Sequence, residues 1–319
     1  MNVVVIGGGT GSYTVLKGLK QLTSGITAIV SMFDSGGSTG LLRDEFGVLP
    51  PGDVRRCLIA LAEDETLRDL FQYRFKTDSS LHGHSLGNLF ITALKHITGS
   101  DAQAIKLASR LLRIKGTVLP VTLGNAHLLA ELEDGTTIKG ETHIDIPAHN
   151  GALRISKLKL DPPVTANDEA LAAIEKADLV VIGPGDLFTS VLPNLLVDGV
   201  SCALSKTKAL KVYVCNLMTK FGETTNFTAS EHLKEIIKYG CKPDVILCNN
   251  ASYSQELIKA YHENKQTPVD IDKEAISRLG VELVTAALST SPDLIRHDSL
   301  KLANALLLLK QKNDRDNKE

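Results

Sequence analysis

The chain has 319 residues, 43% of them hydrophobic, with 35 Lys and Arg against 37 Asp and Glu and a formal net charge of −2. That balance excludes a global basic field drawing the chain to nucleic acid or anionic lipid, and no apolar run approaches the roughly 18 residues of a membrane helix. The length suits one large α/β domain with insertions, or two domains.

In chain order, the apolar run Asn2–Ile6 stops at Gly7-Gly8-Gly9-Thr10-Gly11. Val15, Leu16, Leu19 and Leu22 then share a helix face, and a second apolar run, Ile26–Phe33, stops at Asp34-Ser35-Gly36-Gly37-Ser38-Thr39-Gly40. This pattern predicts a βαβ unit with both glycine turns at the carboxyl edge of parallel strands, where open α/β sheets bind ligands. Met1 leads straight into the first strand without the basic region of a signal peptide, so a cytoplasmic location is expected. From Leu41 to Ile114 the spacing is helical throughout, with Asp53 and Asp101 as candidate N-caps. From Thr117 to Leu160, Val118, Val121, the run Ala126–Leu132, Ile138, Ile144 and Ile155 predict short antiparallel strands around an Asp134-Gly135 turn, a β insertion or flap.

The α/β rhythm returns at Pro162. Helices are predicted over Asn167–Lys176, around Thr189–Leu196, from the Thr228 cap to Tyr239, over Tyr253–Asn264 and over Ser299–Gln311. Strands are predicted at Asp178–Ile182, Ala209–Cys215, Asp244–Cys248 and within Val281–Leu288, and the polar tail from Lys312 is expected to fray. The expected organisation is one domain. Its Rossmann-like core covers about 1–40 and 162–311, with a helical insertion over 41–115 and a β insertion over 116–161. Five cysteines (Cys57, Cys202, Cys215, Cys241, Cys248) include no C-x-x-C pair and read as buried cytosolic thiols rather than zinc ligands.

Four predicted strands end in small or polar clusters: 7–11, 34–40, 183–186 (Gly-Pro-Gly-Asp) and the loop from Asn216 to Thr225. Glycines let backbone amides approach a ligand, and a helix start beyond them adds its positive dipole end. Several such turns on one edge predict a site for a large phosphorylated ligand, by default a nucleotide. The first turn departs from the dinucleotide fingerprint because Ser12 replaces its third glycine. Asp53 has two readings, a helix cap or a carboxylate facing pyrophosphate through Mg²⁺ or water. Arg55 or Arg56 is a candidate to face phosphate. His82 and His84 lack an acidic or cysteine partner at metal-site spacing. Hydrogen bonding of Asn88 to ligand is favoured instead. In the 216–225 loop, Asn216 and Thr219 are candidate contacts. Arg296 is either a phosphate clamp or the partner of Asp298. No nucleophile or acid–base pair stands out, and the Gly-x-x-x-x-Gly-Lys-Ser/Thr phosphate loop is absent.

Ile6–Gly11, Asp34–Gly40, Leu49-Pro50-Pro51-Gly52-Asp53, Gly87-Asn88, Gly183-Pro184-Gly185-Asp186-Leu187-Phe188-Thr189-Ser190 and Arg296-His297-Asp298 together closely resemble the CofD-like family, in its gluconeogenesis-factor, YvcK-type branch. The resemblance implies a three-layer Rossmann-like core. It also implies binding of UDP-sugars such as UDP-N-acetylglucosamine, with NAD accepted in the same cleft by some members. A role in growth on gluconeogenic carbon sources, cell-wall synthesis and cell shape is implied as well. The ligand contacts it implies are Gly8, Gly9, Thr10, Gly11, Asp34, Ser35, Gly36, Gly37, Ser38, Thr39, Asp53, Asn88, Gly183, Pro184, Gly185, Asp186, Thr189, Ser190 and Arg296. The family's other branch contains Mg²⁺-dependent 2-phospho-L-lactate transferases, and Asp53 sits where that branch has a metal-associated aspartate. This chain departs from the transferase pattern at Asn88, where an acid is missing, and at Gly183–Asp186. The leading expectation is therefore a ligand-binding regulator with a protein partner that the sequence does not name. A CofD-type phosphotransferase is the alternative and an NAD-dependent oxidoreductase the third reading. The sequence leaves the oligomeric state open.

Overall fold

The computed structural model describes residues 1–147, 149–290 and 293–316. β1 (Val3–Gly7), buried at every residue, leads into α1 (Gly9–Leu22) and β2 (Ile26–Val30). Five helices follow: α2 (Gly37–Phe46), α3 (Pro51–Leu61), α4 (Glu65–Gln72), α5 (Leu86–Thr98) and α6 (Asp101–Leu111). Then come β3 (Thr117–Pro120), β4 (His127–Leu132), β5 (Thr137–Lys139), α7 (Glu141–Asp145) and β6 (Ile155–Asp161). The second half starts with α8 (Asp168–Glu175), β7 (Leu179–Ile182), a π-helical turn over Leu187–Val191, α9 (Leu192–Leu195) and α10 (Val200–Lys206). It continues through β8 (Leu210–Val214), α11 (Ala229–Lys238), β9 (Val245–Asn249), α12 (Gln255–Glu263), α13 (Lys273–Arg278), β10 (Glu282–Ala286) and α14 (Ser299–Asp316).

Seven strands form one sheet in the order β10-β9-β8-β7-β1-β2-β3, and every neighbouring pair is parallel. A parallel sheet is covered by helices on both faces, which is why Val3–Ile6 and Leu179–Ile182 are apolar without alternation and fully buried. α1 buries Val15, Leu16 and Leu19 and packs beside α3 and α14. The chain runs outward from β1 through β2 to β3, then returns to the other side of β1 and runs through β7, β8 and β9 to β10. The strand order therefore reverses between β1 and β7. The crevice outside the carboxyl ends of strands at such a point is where this architecture holds ligands. A separate three-stranded antiparallel sheet, β5-β4-β6, carries α7. No helix among the described residues is long and apolar enough to cross a membrane.

The α/β class with a parallel sheet and a small antiparallel sheet is as the sequence indicates, but several local readings change. Thr117–Pro120 is not part of the antiparallel insertion; it pairs in parallel with β2 at the edge of the main sheet. A short apolar run cannot by itself distinguish these two environments. Ile144 lies in α7 rather than in a strand. α3 starts from Pro50 without a side-chain cap, so Asp53 is not its cap, and Ser100 rather than Asp101 caps α6. Asp101 instead accepts from the Leu49 amide at 3.1 Å. α10 and α13 are additional short helices, and α14 continues to Asp316 where fraying was expected. Residues 317–319 of that expected tail lie outside the described residues. Cys202 is exposed while the other four cysteines are buried.

Candidate functional site

The first glycine motif is partly helical. α1 begins at Gly9, its cap residue Gly8 supplies no side-chain hydrogen bond, and its first turn holds no acid. The Gly9 amide faces the Asp53 carboxyl, and the first-turn amides beyond it and the positive end of the dipole face the cavity. α2 repeats the design from Gly37, again with no side-chain cap and no acid in the first turn. Gly37 has φ +44 with no atom within 4 Å of a notional Cβ, so backbone conformation and not crowding demands glycine there.

These two helix starts line a cavity of about 350 Å³ together with Asp53 and Arg56 of α3, Glu141, Thr142 and Asp145 of α7, and Gly185, Asp186, Thr189 and Ser190 beyond β7. Asp53 reaches the cavity across Gly8, where a Cβ would collide with its Oδ2. Burial, then the nearby Asp34, raises the Asp53 carboxyl, against the pull of Arg56, the Gly9 amide and Arg55. Glu141 is pushed up to about 8 by burial and by Asp34 and Asp145. Five carboxyl groups thus line one cavity, and Asp34, Asp53 and Glu141 repel one another within it, so a cation or a hydroxyl-rich ligand placed among them would relieve the repulsion. Arg56 donates from Nη1 to Thr10 Oγ1 at 3.1 Å, which holds its guanidinium beside the start of α1.

At the far wall, carboxylate oxygens of Asp145, Asp186 and Glu223 lie within 4.8 Å of one another. Lys220 Nζ sits among them, bonded to Asp145, to Asp186 Oδ2 at 2.9 Å and to Glu223 Oε1 at 2.9 Å. Burial alone would lower this ammonium, but the three carboxylates outweigh it and hold Lys220 above its ordinary value. The side chain of Glu223 is completely buried, and its carboxylate also accepts from the Phe188 amide and the Thr189 hydroxyl at 3.1 and 3.2 Å. The ammonium takes the position a metal ion would need in this cluster.

A second cavity, of about 370 Å³, continues from the first at Thr10, Gly11, Gly185 and Asp186. It is lined further by Pro184, Asn216, Thr219, Lys220, Tyr261, Gln266, Arg296 and His297. Burial lowers His297 to about 4, so its imidazole is neutral near pH 7. Arg296 is exposed and forms no ion pair with Asp298. That carboxylate accepts instead from the Leu300 and Lys301 amides and from Thr290 Oγ1, at the start of α14.

The structure therefore gathers Gly8–Gly11, Asp34, Gly36, Gly37, Asp53, Gly185, Asp186, Thr189 and Ser190 around one cavity, and Pro184, Asn216, Thr219 and Arg296 around its continuation. Ser38 and Thr39 face a third, smaller cavity behind the second glycine turn. Ser35, Asn88 and Gly183 line none of the three. Asn88, expected to bond a ligand, is buried and engaged within the protein. Its Oδ1 accepts from Arg55 Nε at 2.9 Å and its Nδ2 donates to Ser38 Oγ at 3.2 Å. Ser35 braces the insertion: its amide donates to Glu141 Oε2 at 3.4 Å and its hydroxyl accepts from the Thr142 amide at 3.1 Å. His82 and His84 have separate partners, the Thr77 carbonyl and Ser38 Oγ. Sequence reasoning missed Glu141, Thr142, Asp145, Tyr261 and Gln266. The α7 residues carry no local signal, because only the packing of the insertion onto the Asp34 turn makes them part of the site.

A family model described as 2-phospho-L-lactate transferase CofD matches residues 3–289. The chain belongs to the CofD family. Within it, the chain is 42% identical over 315 residues to the gluconeogenesis factor of Bacillus subtilis (strain 168), covering 97% of this chain and 98% of that protein. It is 43% identical over 312 residues to the gluconeogenesis factor of Halalkalibacterium halodurans, covering 96% and 95%. The crystal structure of a UPF0052-family protein from Bacillus halodurans superposes with a TM-score of 0.91 at 42% identity, covering 96% of this chain and 99% of that one. Among CofD-family proteins, then, this chain resembles those named gluconeogenesis factor over nearly its full length.

Proposed function

We propose that this CofD-family chain is a cytoplasmic regulator that binds a nucleotide-sugar of the UDP-N-acetylglucosamine type. It would support growth on gluconeogenic carbon sources, cell-wall synthesis and cell shape by passing ligand occupancy to a protein partner. The observation that carries this reading is the continuity of the two cavities across the reversal between β1 and β7. A diphosphate fits over the first turn of α1 beside Arg56, since the amides beyond Gly9, the dipole and the guanidinium all favour negative charge. One lobe then offers carboxylates to sugar hydroxyls, and the other offers Asn216, Tyr261 and Arg296 to the remainder of the ligand. Thr189, the buried hydroxyl facing the cleft, is bonded to a glutamate that also neutralises Lys220.

A Mg²⁺-dependent phosphotransferase of the CofD type is the second reading, favoured by the gathering of Asp34, Asp53 and Glu141. Mg²⁺ is commonly held by one or two carboxylates plus substrate phosphates, and Asp53 with Asp34 would hold it against the diphosphate. When bound, the ion would neutralise phosphate charge. Calorimetric titration of nucleotide-stripped protein with UDP-N-acetylglucosamine and then NAD, each with and without Mg²⁺, separates the readings. Saturable UDP-sugar binding with all ligand recovered intact is the expected result. Consumption of ligand would overturn the regulator reading in favour of the transferase. Binding of NAD alone would overturn the UDP-sugar assignment.

A further inference from the structure

Behind the second glycine turn lies a cavity of about 230 Å³, lined by Gly37, Ser38 and Thr39 at the start of α2 and by Arg55, Arg56 and Arg74. None of these guanidiniums forms an ion pair among the described residues. Arg55 is only 5% exposed. Its Nε donates to Asn88, and its two Nη groups have no hydrogen-bond partner among the described residues. Arg56 has Thr10 Oγ1 as its hydrogen-bond partner and Arg74 has the Gly83 carbonyl, so most of their donors are unused. The Thr39 hydroxyl, on a residue 5% exposed, likewise has no partner among the described residues.

The charges do not balance within the protein. Asp34 is the one carboxylate lining this cavity, and its Oδ1 already accepts from the Gly36 amide at 2.9 Å. Three cations therefore face Asp34, partly engaged, with Asp53 as a further carboxylate acting on Arg55 and Arg56 from outside the cavity lining. Burial, then repulsion from Arg74 and Arg56, lowers Arg55 to about 10. Asp53 and Asp34 offset this only in part and neither is in ion-pair contact with Arg55, so an anion that reaches its guanidinium removes a remaining cost of burial. Convergent arginine forks, the first two amides of α2 at Gly37 and Ser38, and a free hydroxyl together match a tetrahedral oxyanion; the Thr39 amide is already bonded to the Gly36 carbonyl at 3.0 Å. The volume is below the usual range for whole-ligand pockets, so it suits a phosphoryl group on a small molecule and not a nucleotide.

We propose that this pocket binds the phosphoryl group of a second, small ligand, beside and separate from the nucleotide-sugar cleft. The cavities share Asp34, Gly36, Gly37 and Arg56, so the two ligands lie next to each other. Only the simultaneous-binding part of the proposal rests on the nucleotide-sugar reading. Inorganic phosphate is the probe, titrated calorimetrically at fixed ionic strength into the full chain, with and without saturating UDP-N-acetylglucosamine. Arg74 is exposed and lines only the phosphoryl pocket, so Arg74→Ala keeps the fold. The expected result is saturable phosphate binding in both conditions. Arg74→Ala should weaken it roughly tenfold, as loss of one charge-assisted bond does, with Arg74→Lys intermediate and UDP-sugar affinity unchanged. No saturable phosphate binding, or equal affinity in Arg74→Ala, would overturn the proposal. Mutual exclusion of phosphate and UDP-sugar would also overturn it, by assigning the pocket to the nucleotide's own diphosphate. If UDP-sugar does not bind but Arg74-dependent phosphate binding persists, the pocket stands and the nucleotide-sugar reading falls.

Discussion

Replacing Lys220 by methionine removes the ammonium that Asp145, Asp186 and Glu223 share, while keeping most of the side-chain volume. Breaking a fully buried pair typically costs about 3–5 kcal/mol, because the remaining charge is uncompensated. Here the side chains of Asp145 and Asp186 are 31% and 41% exposed, so both can rehydrate. Glu223, with no exposure, cannot. Its carboxyl is already raised by burial and is restrained chiefly by Lys220. Without Lys220 it rises further, and the native state then binds a proton that the unfolded state releases above about pH 4.5. Stability must fall as pH increases through that window. The loss should be under about 1 kcal/mol near pH 5.5, where Glu223 is protonated, and about 2–3 kcal/mol near pH 8.5. The chain contains no Trp, so urea denaturation is best followed by far-UV circular dichroism at both pH values. Lys220→Met/Glu223→Gln should recover most of the loss at the higher pH. An equal loss at both pH values, or no recovery in the double variant, would refute the assignment of Glu223 as the stranded charge.

The carboxylates of the first cavity give a second pH signature. Asp53 and Glu141 are raised to about 7 and 8, so the unfolded state loses their protons first and stability declines between roughly pH 4 and 8. Glu141→Gln should flatten that decline in melting temperature, and an unchanged slope would argue against burial of its carboxyl. Gly37→Val forces a β-branched residue into a positive-φ position, at a strain of about 1–2 kcal/mol. It should sharply weaken UDP-sugar binding while the circular dichroism spectrum stays native; unchanged affinity would remove the α2 start from the site. Arg296→Ala, at an exposed position, should weaken UDP-sugar binding by roughly 1.5–3 kcal/mol if it makes a charge-assisted bond. An unaltered calorimetric isotherm would leave Arg296 outside the ligand's reach.

The sequence by itself determined the parallel α/β class and the main glycine turns that line the cleft, because those features are local. Runs such as Val3–Ile6 and Leu179–Val181 are apolar without alternation, as a strand covered on both faces must be. The glycines that end them report a backbone demand within a few residues, as Gly37 does through its positive φ. Tertiary structure decided what lies across those turns. Thr117–Pro120 could join either sheet, and pairing with β2 chose between them. Asp53 looked equally suited to capping a helix or facing a ligand, and the Pro50 start of α3 aimed it across Gly8 into the cleft. Ser35 meets Glu141 across 106 positions, and Lys220 meets Asp145 across 75. Asn88, expected as a ligand contact, also supports Arg55, 33 positions away. Periodicity and turn chemistry act between near neighbours in sequence, whereas charges and hydrogen bonds act between whatever the fold brings within a few ångströms. The floor of the cleft could therefore be read from the chain, while its walls and its charge balance came only from the packing of α3, α7 and the loop around Lys220 about the sheet edge.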